Sequence, residues 1–206
     1  WQTGLVMALL AGQFRDWVPD LRRTAAIFTL HNMAFQGAYP AATMLLTGLG
    51  WEYFTWTRME AWDRVNLLKT GIVFADQLST VSPTYSREIQ TPEFGHGMDG
   101  ILRDRTADLT GILNGIDPQE WSPTADSHLP ARYDFDSLGT GKVTCKRTLQ
   151  ELLNLPIRGD VPLLSMVTRM TWQKGFDLMG VCASRLLERD VQLVFLGNGQ
   201  PEYEDL

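Results

Sequence analysis

P-L-L-S-M-V-T-R-M-T-W-Q-K-G-F-D-L-M-G-V-C-A-S-R-L-L-E-R-D-V-Q-L-V-F-L-G-N-G, residues 162–199, decides the fold. Its first seven residues are a short apolar run of strand type, and residues 191–196 are another. Between them Lys174-Gly175 leads into a helical stretch. There Leu178, Cys182 and Leu186 recur at intervals of four, which predicts one shared buried face. Strand, loop, helix, strand, Gly-rich loop is the βαβ pattern of a parallel α/β layer. Two strands are too few to close such a domain, so the chain reads as stopping in mid-architecture.

Upstream, residues 25–30 (A-A-I-F-T-L) predict a buried strand opening into the polar pair His31-Asn32. Residues 76–81 predict a second strand. Ser82-Pro83 then gives an N-cap and a first helical residue for a helix to about Gln90. Residues 111–113 predict a third strand, closed by Asn114-Gly115. Residues 2–14 read as a helix, residues 43–75 as mainly helical, and residues 142–153 as another helix. Ser, Pro, Asp, Gly and Thr dominate residues 121–141, the candidate linker.

Composition excludes several classes. With 44% hydrophobic and 20% charged residues the 206-residue chain is neither disordered nor fibrous. Its longest apolar run, residues 5–11, is far short of the roughly 20 residues of a bilayer-spanning helix. Net charge is −6, divided equally on either side of residue 117, so no basic lobe exists for nucleic acid. Cys145 and Cys182 show no metal or redox spacing and read as plain thiols in a reducing compartment. A helix at the first residues, opening on Trp1 without Met, reads as a segment cut from something longer.

Arg169 and Lys174 stand where the strand at 162–168 gives way to a helix, the end at which ligands bind in open α/β sheets. A guanidinium able to fork onto two oxygens and a compact ammonium, beside a positive helix end, suit a pyrophosphate. The alternative is two solvated surface cations. Gly197-Asn198-Gly199 reads as a plain turn before it reads as a ligand loop. His31 and Asn32 offer donors and acceptors suited to sugar hydroxyls, against the alternative of a His satisfied within its loop. His96 and His128 do not rise above that alternative. The seven Trp residues (Trp1, Trp17, Trp51, Trp56, Trp62, Trp121, Trp172) are read mainly as packing. No pair of carboxylates stands out as the acid and base of a hydrolase.

Five motifs in one order then carry a resemblance: T-L-H-N-M-A-F-Q-G (residues 29–37), T-V-S-P-T-Y-S-R-E-I (80–89), F-G-H-G-M-D-G-I-L (94–102), G-I-L-N-G-I-D-P-Q-E-W-S-P (111–123) and T-R-M-T-W-Q-K-G (168–175). Together they closely resemble bacterial glycogen synthases and plant starch synthases, retaining glucosyltransferases that use ADP-glucose. The resemblance covers essentially all 206 residues, and W-Q-T-G-L at the start resembles the family's H-D-W-x-x-G-L without its first two residues. It implies a partial GT-B fold of the α/β class. Residues 1–120 would be the latter half of the N-terminal Rossmann-like domain, 121–141 the linker, and 142–206 the first strands of the nucleotide-sugar-binding domain.

By the same resemblance His31 contacts the donor glucose, with Asn32 and Trp1 as neighbouring cleft residues and Asn114 beside the sugar. Arg169 and Lys174 hold the donor diphosphate. The implied partners are ADP-glucose and an α-1,4-glucan (glycogen or starch), with no metal cofactor, nucleic acid or membrane. The implied location is the bacterial cytoplasm, or the plastid in a plant. The family's K-x-G-G-L and E-x-x-C-G-L-T motifs fall outside the sequence, so the 206 residues by themselves are expected to be inactive. A UDP-glucose-dependent relative of sucrose-synthase type and a non-catalytic glucan-binding remnant are the alternatives.

Overall fold

Parallel strands organise both parts of the chain in a computed structural model that describes residues 1–205. The chain divides into two units, Trp1–Gly115 and Ile116–Leu206. Unit 1 opens with helix α1 (Gly4–Leu9), a π-helical turn (Leu10–Phe14) and α2 (Arg15–Trp17), where a single helix over 2–14 is predicted. Strand β1 (Ile27–Leu30) follows, then β2 (Ala38–Pro40), α3 (Met44–Thr47), β3 (Glu60–Ala61), β4 (Arg64–Asn66) and α4 (Leu67–Phe74). Strand β5 (Gln77–Thr80), α5 (Pro83–Glu88), α6 (Asp99–Asp104) and β6 (Leu109–Gly111) complete the unit.

Strands β1, β5 and β6 form a parallel sheet with β5 in the middle. Phe28, Leu30 and Leu78 turn inward against Leu68 and Ile72 of α4 and Leu102 of α6. Each such side chain contributes roughly 1.5–3 kcal/mol by leaving water. The sequence predicts β1 as a buried strand. Instead it alternates: Ile27 is exposed, and Thr29 shares a hydrogen bond with Ser79 on that same open face.

The 82–83 capping prediction holds. Ser82 Oγ accepts from the Tyr85 N–H at 2.9 Å, and Pro83 is the first helical residue. The third strand lies two residues earlier than expected, because pairing with β5 runs over residues 109–111 and leaves Ile112 and Leu113 exposed.

Residues 43–75 depart furthest from expectation. Between α3 and α4 they contribute β3 and β4, which with β2 form a second, antiparallel sheet of order β2-β4-β3. Its β3–β4 hairpin turns through Trp62 (φ 52°) and Asp63 (φ 58°). Asn66, fully buried, ends the hairpin and caps α4, its Oδ1 accepting from the Lys69 N–H at 2.9 Å. A second apolar cluster of Ala8, Met44, Leu49, Met59 and Val65 lies beneath.

Unit 2 contains α7 (Leu138–Leu152), β7 (Leu163–Val167), α8 (Phe176–Leu187), β8 (Gln192–Leu196) and α9 (Pro201–Glu204). Strands β7 and β8 are parallel, in register from Leu163↔Gln192 to Val167↔Leu196, so the predicted βαβ unit is present. Helix α7 starts four residues before the predicted 142. A turn in which the Ser137 hydroxyl and N–H both donate to Asp134 Oδ1 leads into it, and these bonds, the hydroxyl's foremost, hold the Asp134 carboxyl below its ordinary range.

The predicted buried face of α8 is wrong by a rotation. Phe176 is buried and Met179, Ala183 and Leu186 are half-buried, whereas Leu178 and Cys182 are exposed. Phe176 packs its ring on Phe195 of β8 and Tyr203 of α9, with centroids 5.9 and 6.2 Å apart. A wide ring on the first turn dictates which side of α8 faces the strand.

Candidate functional site

In unit 1 the C-terminal ends of β1 and β6 carry His31 and Asn114, with β5 between them. That places the two strand ends roughly 10 Å apart on one edge of the sheet. His31 is exposed, the first residue past β1, and its side chain has no hydrogen-bond partner among the described residues. The residues after it are pinned. The Met33 side chain is buried, its N–H donates to the Tyr85 hydroxyl at 3.2 Å, and the Ala34 N–H donates to Asn32 Oδ1 at 3.0 Å. Further along, the Leu67 and Leu68 N–H groups donate to the carbonyls of Gly37 and Gln36, so the loop also caps α4. His31 therefore projects from a short, immobilised segment.

Trp1 belongs to the same neighbourhood. Its indole covers Gly37, where an added Cβ would come within 2.3 Å of the ring, and it meets Tyr39 at 5.8 Å between centroids. Asn114 is exposed three residues beyond β6. Thus Trp1, His31 and Asn32 are brought together around one loop, and Asn114 shares the sheet edge with them.

In unit 2 the two strand ends are zipped past the end of the ladder. The Thr168 N–H donates to the Leu196 carbonyl, the Met170 N–H to Asn198, and the Gln200 N–H to Met170, each at 3.0 Å. Residues 168 and 170 being fixed, Arg169 between them is held in direction and exposed. This zipper explains Gly197-Asn198-Gly199. A Cβ at Gly197 would lie 1.9 Å from the Thr168 carbonyl oxygen, and one at Gly199 would lie 2.0 Å from that of Met170. The glycines admit the chain's own backbone. Glu204 Oε1 accepts from the Gly199 N–H at 2.5 Å and closes the loop.

Lys174 ends a 3-10 turn, Trp172–Lys174, and Gly175 at φ 81° then redirects the chain into α8. No side chain caps the first turn of α8, so its orphan N–H groups remain open beside Lys174. Neither Arg169 nor Lys174 makes a side-chain hydrogen bond or ion pair among the described residues. By contrast Arg158 is held by Asp160 and Asp190. Two unneutralised cations at one strand end and one open helix start suit an anion.

The Trp reading requires correction. Trp17, Trp51, Trp56, Trp62, Trp121 and Trp172 are each more than half exposed, although Trp17 and Trp51 still meet the rings of Phe14 and Phe54, and among the described residues Trp1 alone is half-buried. The signal missed in the sequence is Trp62-Asp63 between two short β-type runs, a two-residue hairpin without the usual Asn-Gly. Holding a bulky residue in the left-handed region costs of order 1–3 kcal/mol.

A family model of the starch synthase catalytic domain matches residues 1–104. Along all 206 residues the chain is 52% identical to a glycogen synthase of Anaeromyxobacter sp. (strain Fw109-5), covering 43% of that protein. Over 201 residues it is 45% identical to glycogen synthase 1 of Geobacter sulfurreducens, covering 98% of the chain and 40% of the relative. The catalytic domain of starch synthase IV from Arabidopsis thaliana, bound to ADP and acarbose, superposes with a TM-score of 0.89 at 34% identity. That match covers all of this chain and 42% of the plant catalytic-domain chain. The chain thus spans about two-fifths of the length of the proteins it matches.

Proposed function

The chain belongs to the starch synthase catalytic domain family and has part of its GT-B α/β fold, and from that premise we propose an activity for the longer protein of which it is a segment. That protein transfers glucose from ADP-glucose to the non-reducing 4-OH of an α-1,4-glucan, with retention of configuration. The observation that carries the reading is the pair Arg169 and Lys174, unpaired, beside the uncapped start of α8.

Breaking the glycosidic bond to a diphosphate builds negative charge on the leaving group and positive charge at the anomeric carbon. Arg169 forks onto phosphate oxygens and Lys174 supplies a point charge; together with the α8 N–H groups they stabilise the departing anion. Losing one such group typically costs about 2.7–4 kcal/mol of transition-state stabilisation. His31 orients the glucose and Asn32 and Asn114 hydrogen-bond its hydroxyls, while Trp1 packs the loop that presents them. Expelling water from around the donor lets transfer win over hydrolysis.

Initial rates of the longer protein with ADP-glucose and with UDP-glucose, on glycogen as acceptor, test this. Faster incorporation from ADP-glucose is expected. A preference for UDP-glucose would reassign the donor, and glycogen binding without incorporation from either would make the protein a binding module.

A further inference from the structure

We propose that Trp56, Glu60 and Trp62 form an accessory cradle for one glucose unit of a neutral α-glucan chain, on the hairpin side of unit 1. The glucan identity rests on the activity proposed above; the cradle itself rests on four observations.

The first is shape. A cavity of about 210 Å³ opens among Trp56, Glu60, Trp62, Lys69, Gly97 and Ile101. It is smaller than a drug-sized pocket and of the scale of a single sugar ring.

The second is the aromatic faces. Trp56 and Trp62 are 77% and 63% exposed, yet both border this cavity. Two indoles left in water beside a cavity are poised to pack against the C–H faces of a pyranose.

The third is strain. Trp62 occupies a left-handed position that Asn or Gly fills at lower cost, and Asp63 beside it does the same. Glu60 Oε1 accepts from the Asp63 N–H at 2.8 Å and fixes the turn, while the rim of the Trp62 ring lies against Gly97. Nothing in the hairpin's own packing demands a ring at 62, and backbone strain of this kind clusters at ligand clamps.

The fourth is charge. The Lys69 ammonium donates to the carbonyls of Trp56 and Glu60, so it anchors the residue that carries one indole. Its attraction to the Glu60 carboxylate balances the cradle's charge, and burial pushes its pKa below the ordinary lysine value. With both signs present, neither an anion nor a cation is favoured. A polyol, whose hydroxyls donate to Glu60 and accept elsewhere, satisfies both.

The cradle lies beside the loop that presents His31: Gln36 Nε2 donates to the His96 carbonyl at 2.8 Å, next to Gly97.

The experiment is calorimetric titration of the longer protein, without nucleotide, with maltoheptaose, alongside Trp62→Asn and Trp56→Ala. Asn tolerates the left-handed backbone, so Trp62→Asn deletes the ring and keeps the turn, and thermal unfolding checks this. Each variant is expected to weaken maltoheptaose binding about tenfold while KM for ADP-glucose stays at the unsubstituted value. Unchanged maltoheptaose affinity in both variants, or no binding by the unsubstituted protein, would overturn the cradle. The two proposals separate cleanly. Trp-dependent maltoheptaose binding without transfer from ADP-glucose retains the cradle and removes the activity; transfer with Trp-independent binding does the reverse.

Discussion

At the residue scale the proposed diphosphate site rests on two cations with different chemistry, and their positions set what each substitution is expected to do. Lys174 sits at the end of a 3-10 turn with its ammonium unpaired, so Lys174→Ala removes charge and disturbs no existing partner. In the longer enzyme kcat is expected to fall a hundred- to a thousand-fold, roughly the effect of deleting one transition-state donor, with thermal stability unchanged. Steady-state kinetics decide it: near-normal turnover would remove Lys174 from the mechanism. His31 stands on a segment held by Met33 and the Tyr85 hydroxyl, so its truncation likewise leaves the loop in place. His31→Ala is expected to lower kcat more than it weakens donor binding, since its proposed role is to orient the sugar as charge develops; an effect confined to KM would make it a binding group only. Both residues could be nominated from the sequence, His31 as the first polar residue past a strand and Lys174 as a cation directly before a helix start. Trp1 and Asn114 are nominated by resemblance alone, since a half-buried indole and an exposed amide carry no local signal of what they face.

At the scale of elements, what the sequence revealed depended on how strongly local chemistry constrains the backbone. Ser82-Pro83 located the start of α5 because cap and ring each act through their own residue. The face of α8 was not legible: Phe176, Leu178, Met179, Val181, Cys182, Ala183, Leu186 and Leu187 make the helix apolar nearly all round. Two overlapping rows then fit the same period, and only ring packing on Phe195 selects between them. The β3–β4 hairpin was missed because its turn is Trp-Asp, a pairing chosen against local preference. Gly197-Asn198-Gly199 was read as a turn, and its actual constraint is the zipper to residues 168–170, a long-range contact that no window of sequence contains. This yields a paired prediction. Gly197→Ala forces a Cβ against the Thr168 carbonyl and is expected to cost about 1–3 kcal/mol while weakening ADP binding through Arg169. Gly139→Ala, inside α7 with open space around it, is expected to add roughly 0.5–1 kcal/mol and leave ADP binding alone. Thermal melts and ADP titrations on both variants read the contrast; equal effects would show that the zipper does not constrain residue 197.

For the whole molecule, the decisive quantity is how unevenly apolar surface is buried. Eighteen of the twenty buried apolar residues among those described lie in unit 1; unit 2 contributes only Val161 and Phe176. Strands β7 and β8 meanwhile expose Leu164, Val167 and Leu196, and α8 exposes Leu178, Val181 and Leu187. A parallel sheet is ordinarily covered on both faces, and a two-stranded one has little interior of its own. Local opening free energy follows buried apolar contact, so the units should not share one stability. In the 206-residue chain the amides of β7 and β8 are expected to exchange with deuterium at least about a hundredfold faster than those of β1 and β5, which is roughly 2.8 kcal/mol of local stability by the tenfold-per-1.4 relation. In the longer protein, where this chain is about two-fifths of the length of the relatives it matches, that gap is expected to narrow as the open faces of unit 2 gain cover. Hydrogen exchange read by mass spectrometry on both forms measures it directly. Equal protection of the two sheets in the 206-residue chain would mean that β7 and β8 are stabilised by the βαβ unit itself. The Arg169 and Lys174 loops would then be preorganised for the diphosphate without further chain.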